Sequence, residues 1–444
     1  MKPSRTFRHG GIRVEIGCDW EQKKTVQNAF LPNGAVILLK QHTGRQARCV
    51  VRRGEYVREG MVIGRADGPL SANVHASIPG IVRDIRVTAL PEGGQAEAVV
   101  IALEGSFDRL GRREERYLWS SMGCNEILAT IRDKGVVDTE EPGLPLFDIL
   151  SEKKDIELLF VNAIESEPYL KAEACLLRDK GEEVMDGVAI LRKVLSPKRT
   201  ILASSGERPE NLPLAREGAP AEEAEIEYFD LEPIYPQDMP RQLLEAVSGQ
   251  KQGDALFIRP STAYAVHEAV VHGKPMVERY VSIAGGALKR PEVLKARIGT
   301  PIGDLIEECG GFLGPPARLV LRGALRGHSV HDLDVPVTKT TSAVIALDSE
   351  EVGFLWRSPC IRCGRCAKAC PERLDPDMLF RLVERGLTSR ALGLGLGSCT
   401  ACGACSYICP ARVPLVAAFS AELRTLADAI GDGDSSGGDQ GRIR

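Results

Sequence analysis

The sequence predicts a chain of several domains, on three observations. The first hundred residues carry short β-forming runs (AVILLK, RCVVRR, VIGRA, GIVRDIRV, AEAVVIAL) punctuated by glycine and proline, the pattern of a small all-β unit. Residues 120 to 260 alternate strand-like and helix-like segments, which implies an α/β domain with a mostly parallel sheet. Near the C-terminus two cysteine runs repeat one spacing, CIRCGRCAKACP from Cys360 and CTACGACSYICP from Cys399.

A length of 444 residues leaves room for roughly two to four domains. Aromatic residues are 5% of the chain, so its cores must rest on Leu, Val, Ile and Ala. A net charge of -4 gives no bulk reason to expect nucleic acid. The opening stretch MKPSRTFRHGGIRVEIG has no apolar segment of the signal-peptide kind, and no apolar run reaches the ~18 residues of a spanning helix. The expected location is cytoplasmic, with the cytoplasmic face of the inner membrane reached through a partner. In that setting thirteen cysteines point to metal binding and away from disulfides.

Within the N-terminal unit, GEYVREGMVIGRADG followed by VHASIPGIVRDI resembles the biotinyl/lipoyl-type barrel-sandwich hybrid. Carrier domains of that fold present a lysine where Pro69 stands here, so a structural barrel is expected and a swinging arm is not. In the α/β region, NEILATIRDKG reads as a helix ending at Gly135, LLFVNAI as a buried strand over 158–164, and EACLLRDKGEEVMDGVAILRKVL as a long helix. DALFIRP and TAYAVHEAVVHG read as a strand and a helix. Residues 278 to 325 pair β-like segments with the short helix IGDLIEEC and resemble the SLBB domain, a ubiquitin-like β-grasp module.

Both cysteine runs follow C-x2-C-x2-C-x3-C-P, the spacing of bacterial two-cluster ferredoxins. Three thiolates two residues apart can wrap one cubane, and the fourth reaches the other. The expected ligands are Cys360, Cys363, Cys366 and Cys409 for cluster one, and Cys399, Cys402, Cys405 and Cys370 for cluster two. Gly364 and Gly403 allow the tight turn, and Pro371 and Pro410 redirect the chain. Zinc prefers paired C-x2-C knuckles with four ligands per ion, so it fits these runs poorly. Asp375-Pro376-Asp377 marks a helix start carrying Met378, Leu379, Leu382 and Val383. Gly386 is its expected end, and Gly393, Gly395 and Gly397 suggest a flexible approach to Cys399. A last helix is expected from Leu415 to about Ile430, followed by a disordered tail. Cys18, Cys49, Cys124, Cys175 and Cys309 share no spacing and are expected as small buried hydrophobes. His42 and His75 are expected as structural residues, and basic stretches such as RRGEYVR and FDRLGRREER as solvated faces.

The order of these units resembles RnfC, the iron–sulfur subunit of the Rnf electron-transport complex, over roughly residues 8 to 415. Its α/β domain is similar to the NADH- and FMN-binding subunit of respiratory complex I. The resemblance rests on LPNGAVILLKQHTGRQARCVVRRGEYVREG, LLFVNAIESEPYLKAEACLLRD, ERYVSIAGGALKRP and both cysteine runs. It implies a barrel-sandwich hybrid over 1–110, a complex I-like α/β domain with a mostly parallel sheet over 115–275, and a β-grasp SLBB unit over 276–345. An α-helical dicluster ferredoxin over 350–416 and a C-terminal helix and tail over 417–444 follow. In the family, electrons pass from NADH to FMN and on to clusters.

Three departures fall where that family holds its nucleotides. The family has a G-x-G-G-A-G-F-P loop, whereas this chain reads GVVDTEEPGLP, with Asp138, Glu140 and Glu141 at glycine positions and Gly143 and Pro145 kept. Carboxylates there would repel phosphates, at about 4 kcal/mol for a contact at 4 Å. Tyr235-Pro236-Gln237 is followed by Asp238-Met239-Pro240, and Arg259-Pro260 replaces an asparagine that touches flavin in the family. Asn162, Glu165 and Glu167 keep their places as nucleotide contacts or, alternatively, as sheet-end caps. FMN and NADH are therefore doubtful, while two [4Fe-4S] clusters are expected. The favoured function is an electron relay between redox protein partners. An NADH-oxidising flavoprotein of an Rnf-type complex is the alternative, and a structural adaptor the third reading.

Overall fold

The computed structural model describes residues 6–14, 26–105, 116–140, 143–205, 226–353 and 357–431. Glu141, Cys18, most of FDRLGRREER and the tail beyond Gly431 lie outside them.

The N-terminal unit is two facing antiparallel sheets. Gly34–Leu38, Gln95–Leu103, Gly80–Ala89 and Tyr56–Val57 form one, and Arg48–Cys49, Val62–Arg65 and Val74–His75 the other. Alternating residues such as Ile37, Ile63, Val82 and Ile101 meet between them, as the two-residue period of a strand requires. Gly80 has φ +158, and a Cβ there would lie 1.9 Å from the Ala102 carbonyl oxygen, so no larger residue fits. Pro69 sits exposed in the loop between Val62–Arg65 and Val74–His75. His42 is buried and hydrogen-bonded as expected, to the Thr43 carbonyl at 3.0 Å and the Ala72 N–H at 3.2 Å. Burial lowers its pKa to about 4.

The α/β domain has a fully parallel four-stranded sheet in the order Glu227–Asp230, Arg199–Ser204, Leu158–Asn162, Ala255–Ile258. Helices Ala172–Leu195 and Pro260–His272 cover one face through Leu191, Val266 and Val270. Helix Pro240–Ser248 covers the other through Leu243, against Phe160 and Ile201. Gly187 lets the two long helices touch, since a Cβ would come within 1.9 Å of the Ala263 carbonyl oxygen. The strand expected over 158–164 stops at Asn162, after which Glu165 meets the start of helix Ala172–Leu195 and Glu167 meets Arg326.

The third unit is a six-stranded mixed sheet: Gln27–Asn28, Glu292–Arg297, Glu278–Ala284, Ala343–Leu347, Arg318–Leu321, His328–Val330. Helix Ile302–Glu308 packs Leu305 and Ile306 on it. Its edge strand Gln27–Asn28 comes from the N-terminal stretch, so the units interlock more than boundaries drawn along the sequence suggest. Lys339 ties three units together. It is fully buried and donates to the carbonyls of Asn73 at 2.8 Å and Gly135 at 2.7 Å.

The C-terminal unit is helical. Asp375 caps the helix Pro376–Glu384, accepting from the Met378 N–H at 3.2 Å, and Gly386 at φ +66 lies just past its end. The flexible approach expected at Gly393, Gly395 and Gly397 is instead a helix, Thr388–Gly393, and a 3-10 turn, Leu396–Ser398. Ala391 and Leu396 are buried there and pin the segment to Leu379 and Phe419. The last helix spans Leu415–Gly431.

Two of the four described cysteines outside the runs, Cys175 and Cys309, are buried as expected. Cys49 is half-buried, and Cys124 is exposed because it opens the helix Cys124–Asp133 at the surface. Among the described residues, no helix is long and apolar enough to cross a membrane.

A candidate iron–sulfur centre beside a closed pocket

The two cysteine runs have one backbone. In the first, Arg362 (φ 52), Gly364 (φ 71) and Arg373 (φ 58) are left-handed; in the second, Ala401 (φ 53), Gly403 (φ 81) and Arg412 (φ 51) are. Each set falls at the same offsets from its first cysteine. A non-glycine residue in this region costs about 1–2 kcal/mol. Successive turns of this hand aim backbone N–H groups into a concavity suited to a sulfide cluster. Sequence reasoning assigned the turn to the glycines alone; nothing in Arg362 or Ala401 signals the conformation, and only the repeat could have exposed it. The Arg362 N–H donates to the Cys360 sulfur and the Leu374 N–H to the Cys370 sulfur, both at 3.4 Å.

Cys370 lines one cavity with Cys399, Cys402 and Cys405, walled by Leu374, Val416 and Phe419. The fourth cysteine of the first run thus stands with the first three of the second. Burial pushes the Cys402 thiol up to about 11, with Cys370 and Cys399 adding to it, and the Cys405 thiol rises for the same reason. Iron binding would displace those protons. In the other set, Cys360 and Cys366 both meet Asp377, one at its carboxylate and the other at its backbone. Cys366 and Cys409 pack on the same helical core. The donor set, eight cysteines in two equivalent loops, fits two [4Fe-4S] clusters.

The middle of the second loop, Cys402 to Cys405, is buried, and the end of the first run, Ala369 to Glu372, meets the α/β domain beside it. The Tyr235 hydroxyl donates to the Cys402 carbonyl. The N-terminal stretch threads between the two units, with the Gly11 N–H bonded to the Ala369 carbonyl at 2.9 Å and Ile12 bridged to Tyr235. Gln242 donates to Glu372 at 2.8 Å.

Behind Tyr235, at the C-terminal ends of the parallel strands, lies the place where open α/β sheets bind ligands. Here it is filled with the chain's own charges. The Arg259 guanidinium pairs with Glu140 at 2.8 Å and Asp238 at 3.4 Å, and donates to the Ile164 carbonyl at 2.7 Å. Arg326, from the third unit, pairs with Asp238 and with Glu167 at 2.7 Å and lies over the Tyr235 ring. Asn162 donates to Glu140 at 2.9 Å and to the Asp238 carbonyl at 2.8 Å. Glu165 accepts from the N–H groups of Glu173 at 3.0 Å and Ala174 at 3.1 Å, at the start of helix Ala172–Leu195. Asp138 accepts from the Thr262 hydroxyl at 2.8 Å.

All three residues carried over as nucleotide contacts, Asn162, Glu165 and Glu167, therefore have polar atoms engaged within the chain. Met239, expected to intrude here, instead packs near Ile12, Tyr235 and Ala369 at the ferredoxin interface; Asp238 fills the pocket in its place. Arg326 was not foreseen as a pocket residue, and no local motif marks it.

Burial pushes Asp138 up to about 7, with Glu140 adding to it. Glu165 also rises to about 7, through burial and its neighbour Glu173. Burial raises Glu140 against the opposing pull of Arg259. Burial also pushes Asp238 upward, but Arg326 and Arg259 outweigh it and hold that carboxyl below its usual range. What space remains is a cavity of about 60 Å³ lined by Glu140, Glu165, Arg259, Arg279 and Arg326 among others. Ligand pockets run to ~300–1,000 Å³. Water fits this cavity; a flavin does not fit the residues present.

Paired cysteine loops packed on an α/β domain define an iron–sulfur electron-transfer subunit. Residues 6–106 match the RnfC barrel sandwich hybrid domain, 131–271 the Nuo51 FMN-binding domain, 280–329 the SLBB domain and 359–414 the 4Fe-4S dicluster domain. The chain is 30% identical over 397 residues to the C subunit of the proton-translocating ferredoxin:NAD(+) oxidoreductase complex of Clostridium ljungdahlii, covering 87% of this chain and 86% of that one. It is 32% identical over 430 residues to the C subunit of the ion-translocating oxidoreductase complex of Rhodobacter capsulatus, covering 94% and 83%. With the corresponding subunit of Pseudomonas aeruginosa it shares 33% over 386 residues, 83% of this chain but 49% of that longer protein. The chain belongs to the RnfC family, the C subunits of ion-translocating oxidoreductase (Rnf) complexes.

Proposed function

We propose that this subunit is a flavin-free electron relay between protein partners. Cluster one is held by Cys360, Cys363, Cys366 and Cys409, and cluster two by Cys399, Cys402, Cys405 and Cys370. Such clusters, when bound, supply one-electron exchange with little rearrangement. The observation that carries the reading is the self-paired network of Glu140, Arg259, Asp238, Arg326 and Glu167, which occupies the pocket an FMN would need. Asn162, Glu165 and Glu167 act here as structural hydrogen-bonding groups.

In this reading the chain's residues hold the two sites in different surroundings. Tyr235 and Ile12 cover Cys402 and Ala404 of the second loop, and the Gln242–Glu372 bond holds the end of the first run on the same domain. The first loop faces outward. The barrel-sandwich and β-grasp SLBB units dock the subunit to a membrane-bound Rnf-type complex, on its cytoplasmic face.

The test is anaerobic reconstitution followed by iron and flavin assays and titration with NADH. About eight irons per chain, no FMN, bleaching by dithionite and none by NADH are expected. Stoichiometric FMN with bleaching by NADH would overturn the flavin-free reading and make the chain an NADH-oxidising subunit.

A further inference from the structure

The two cysteine loops share a backbone but not a surface. In the second loop the residues between cysteines are uncharged throughout, and Ala404 is buried against the α/β interface. At the offsets where that loop has Ala401, Ala404 and Tyr407, the first loop has Arg362, Arg365 and Lys368. All three cations are exposed, as are Cys360, Cys363 and Pro359. Ile361 is 67% exposed and Met378 43%. A Cβ at Gly364 would meet nothing within 4 Å, whereas one at Gly403 would lie 3.1 Å from the Leu325 carbonyl oxygen. The second loop is packed into the molecule from Cys402 to Cys405, with Ala401 and Tyr407 at the surface, whereas the first stands open from Cys360 to Arg365.

The charge around the open loop is positive. Residues 357–390 hold eight Lys or Arg and four Asp or Glu, in a chain whose net charge is -4. The four carboxylates are engaged. Glu372 faces the α/β domain with Gln242 and Lys251. Asp375 caps its helix. Asp377 pairs with Arg381 and acts on Arg362 only at longer range. Glu384 pairs with Arg357 at 2.7 Å. Arg362, Arg365 and Lys368 make no ion pair with any described residue. Pro359 and Ile361, on either side of Cys360, add an exposed apolar tip to the same stretch.

We propose that this loop is the docking face for an acidic one-electron carrier protein, whose carboxylate-ringed redox centre meets Arg362, Arg365 and Lys368 while Ile361 fills the contact. The proposal rests on the relay reading and deepens it: electrons cross between the carrier and cluster one. A single electron leaves one centre and enters the other, and no bond is made or broken. An apolar tip with a complementary charged rim favours fast, short-lived encounters, because long-range attraction raises the association rate.

Rubredoxin, small and acidic, serves as the probe, and mitochondrial cytochrome c, which is basic, as its counterpart. Calorimetry of the oxidised proteins reads docking without electron transfer. Stopped-flow mixing of the dithionite-reduced protein with each ferric acceptor reads the rate. Between about 20 mM and about 500 mM salt the screening length shrinks several-fold. Rubredoxin affinity and rate should then fall by about tenfold or more, while the cytochrome c rate should not fall. The variant Arg362→Glu/Arg365→Glu/Lys368→Glu should lose the rubredoxin advantage and its salt dependence at unchanged iron content. Arg362→Gln/Arg365→Gln/Lys368→Gln should fall between. If a variant loses iron, the salt profile of the wild-type protein decides. Salt-independent transfer to rubredoxin, or an unchanged triple variant, would overturn the docking face and leave the relay standing. Clusters that dithionite reduces but that pass electrons to neither acceptor would overturn both.

Discussion

Arg259 is the keystone of the closed pocket, and its replacement gives a sharp test. Arg259→Met keeps the apolar stem and removes the guanidinium. Glu140 and Asp238 then lose a partner at 2.8 Å and 3.4 Å, and the Ile164 carbonyl loses its donor at 2.7 Å. Both carboxylates are nearly inaccessible to water. Breaking a buried pair from one side costs about 3–5 kcal/mol, and an orphaned carbonyl about 1–3 kcal/mol. Protonation of Glu140, already pushed upward by burial, returns part of this. A net loss of about 4 kcal/mol is expected in urea unfolding at neutral pH. The cycle with Glu140→Gln isolates the pair. The amide oxygen of that variant still accepts from Asn162, so the double variant should recover at least about 2 kcal/mol relative to the sum of the singles. Additivity within about 0.5 kcal/mol, or a single-variant loss below about 1 kcal/mol, would refute the claim that these side chains form one self-satisfied network.

Other measurements reach the remaining parts. Asp138 has a folded pKa raised from 3.8 to about 7, so its favourable contribution is complete below about pH 4 and is lost as pH rises through 7. Relative to Asp138→Asn, the wild type should therefore lose stability between those limits, by about 4 kcal/mol in all, read from unfolding midpoints across pH. Lys339→Met should cost about 2 kcal/mol or more by leaving two buried carbonyls without a donor. Because burial lowers Lys339 to about 7, the wild type regains stability as pH rises from 7 toward 10.5, so the gap between the two should widen over that range. Cluster assignment is read from iron counts in paired variants. Cys370→Ser/Cys399→Ser should keep about four irons, because both changes strike cluster two, whereas Cys370→Ser/Cys360→Ser should keep none. The reverse pattern would mean that each run closes its own cluster.

The two ferredoxin runs are fully legible from spacing, because a cubane demands thiolates at fixed intervals along a tight loop. Helix Pro376–Glu384 is equally legible from the Asp375 cap and Pro376. The glycines at 393, 395 and 397 misled, since Ala391 and Leu396 found a core that no local pattern announced. Cys124 was misplaced because a lone cysteine carries no signal of its depth. At the pocket, the departures at Asp138, Asp238 and Arg259 could be seen along the chain, but their effect could not. Met239 and Asp238 are neighbours in sequence, and the turn after Pro236 sends one to the ferredoxin interface and the other into the network.

By itself, then, the sequence determined the order of units, the cysteine ligands to expect and the carboxylates where the resemblance implies a glycine loop, because each is written in residue types at short separations. The tertiary structure alone decided that Arg326, from a different unit, closes the pocket with Arg259. It also decided that the middle of one cysteine loop is buried behind Tyr235 while the same part of its twin faces solvent. Those outcomes depend on residues far apart in the chain meeting across domain boundaries, where burial turns scattered charges into pairs and leaves identical backbones in unlike surroundings.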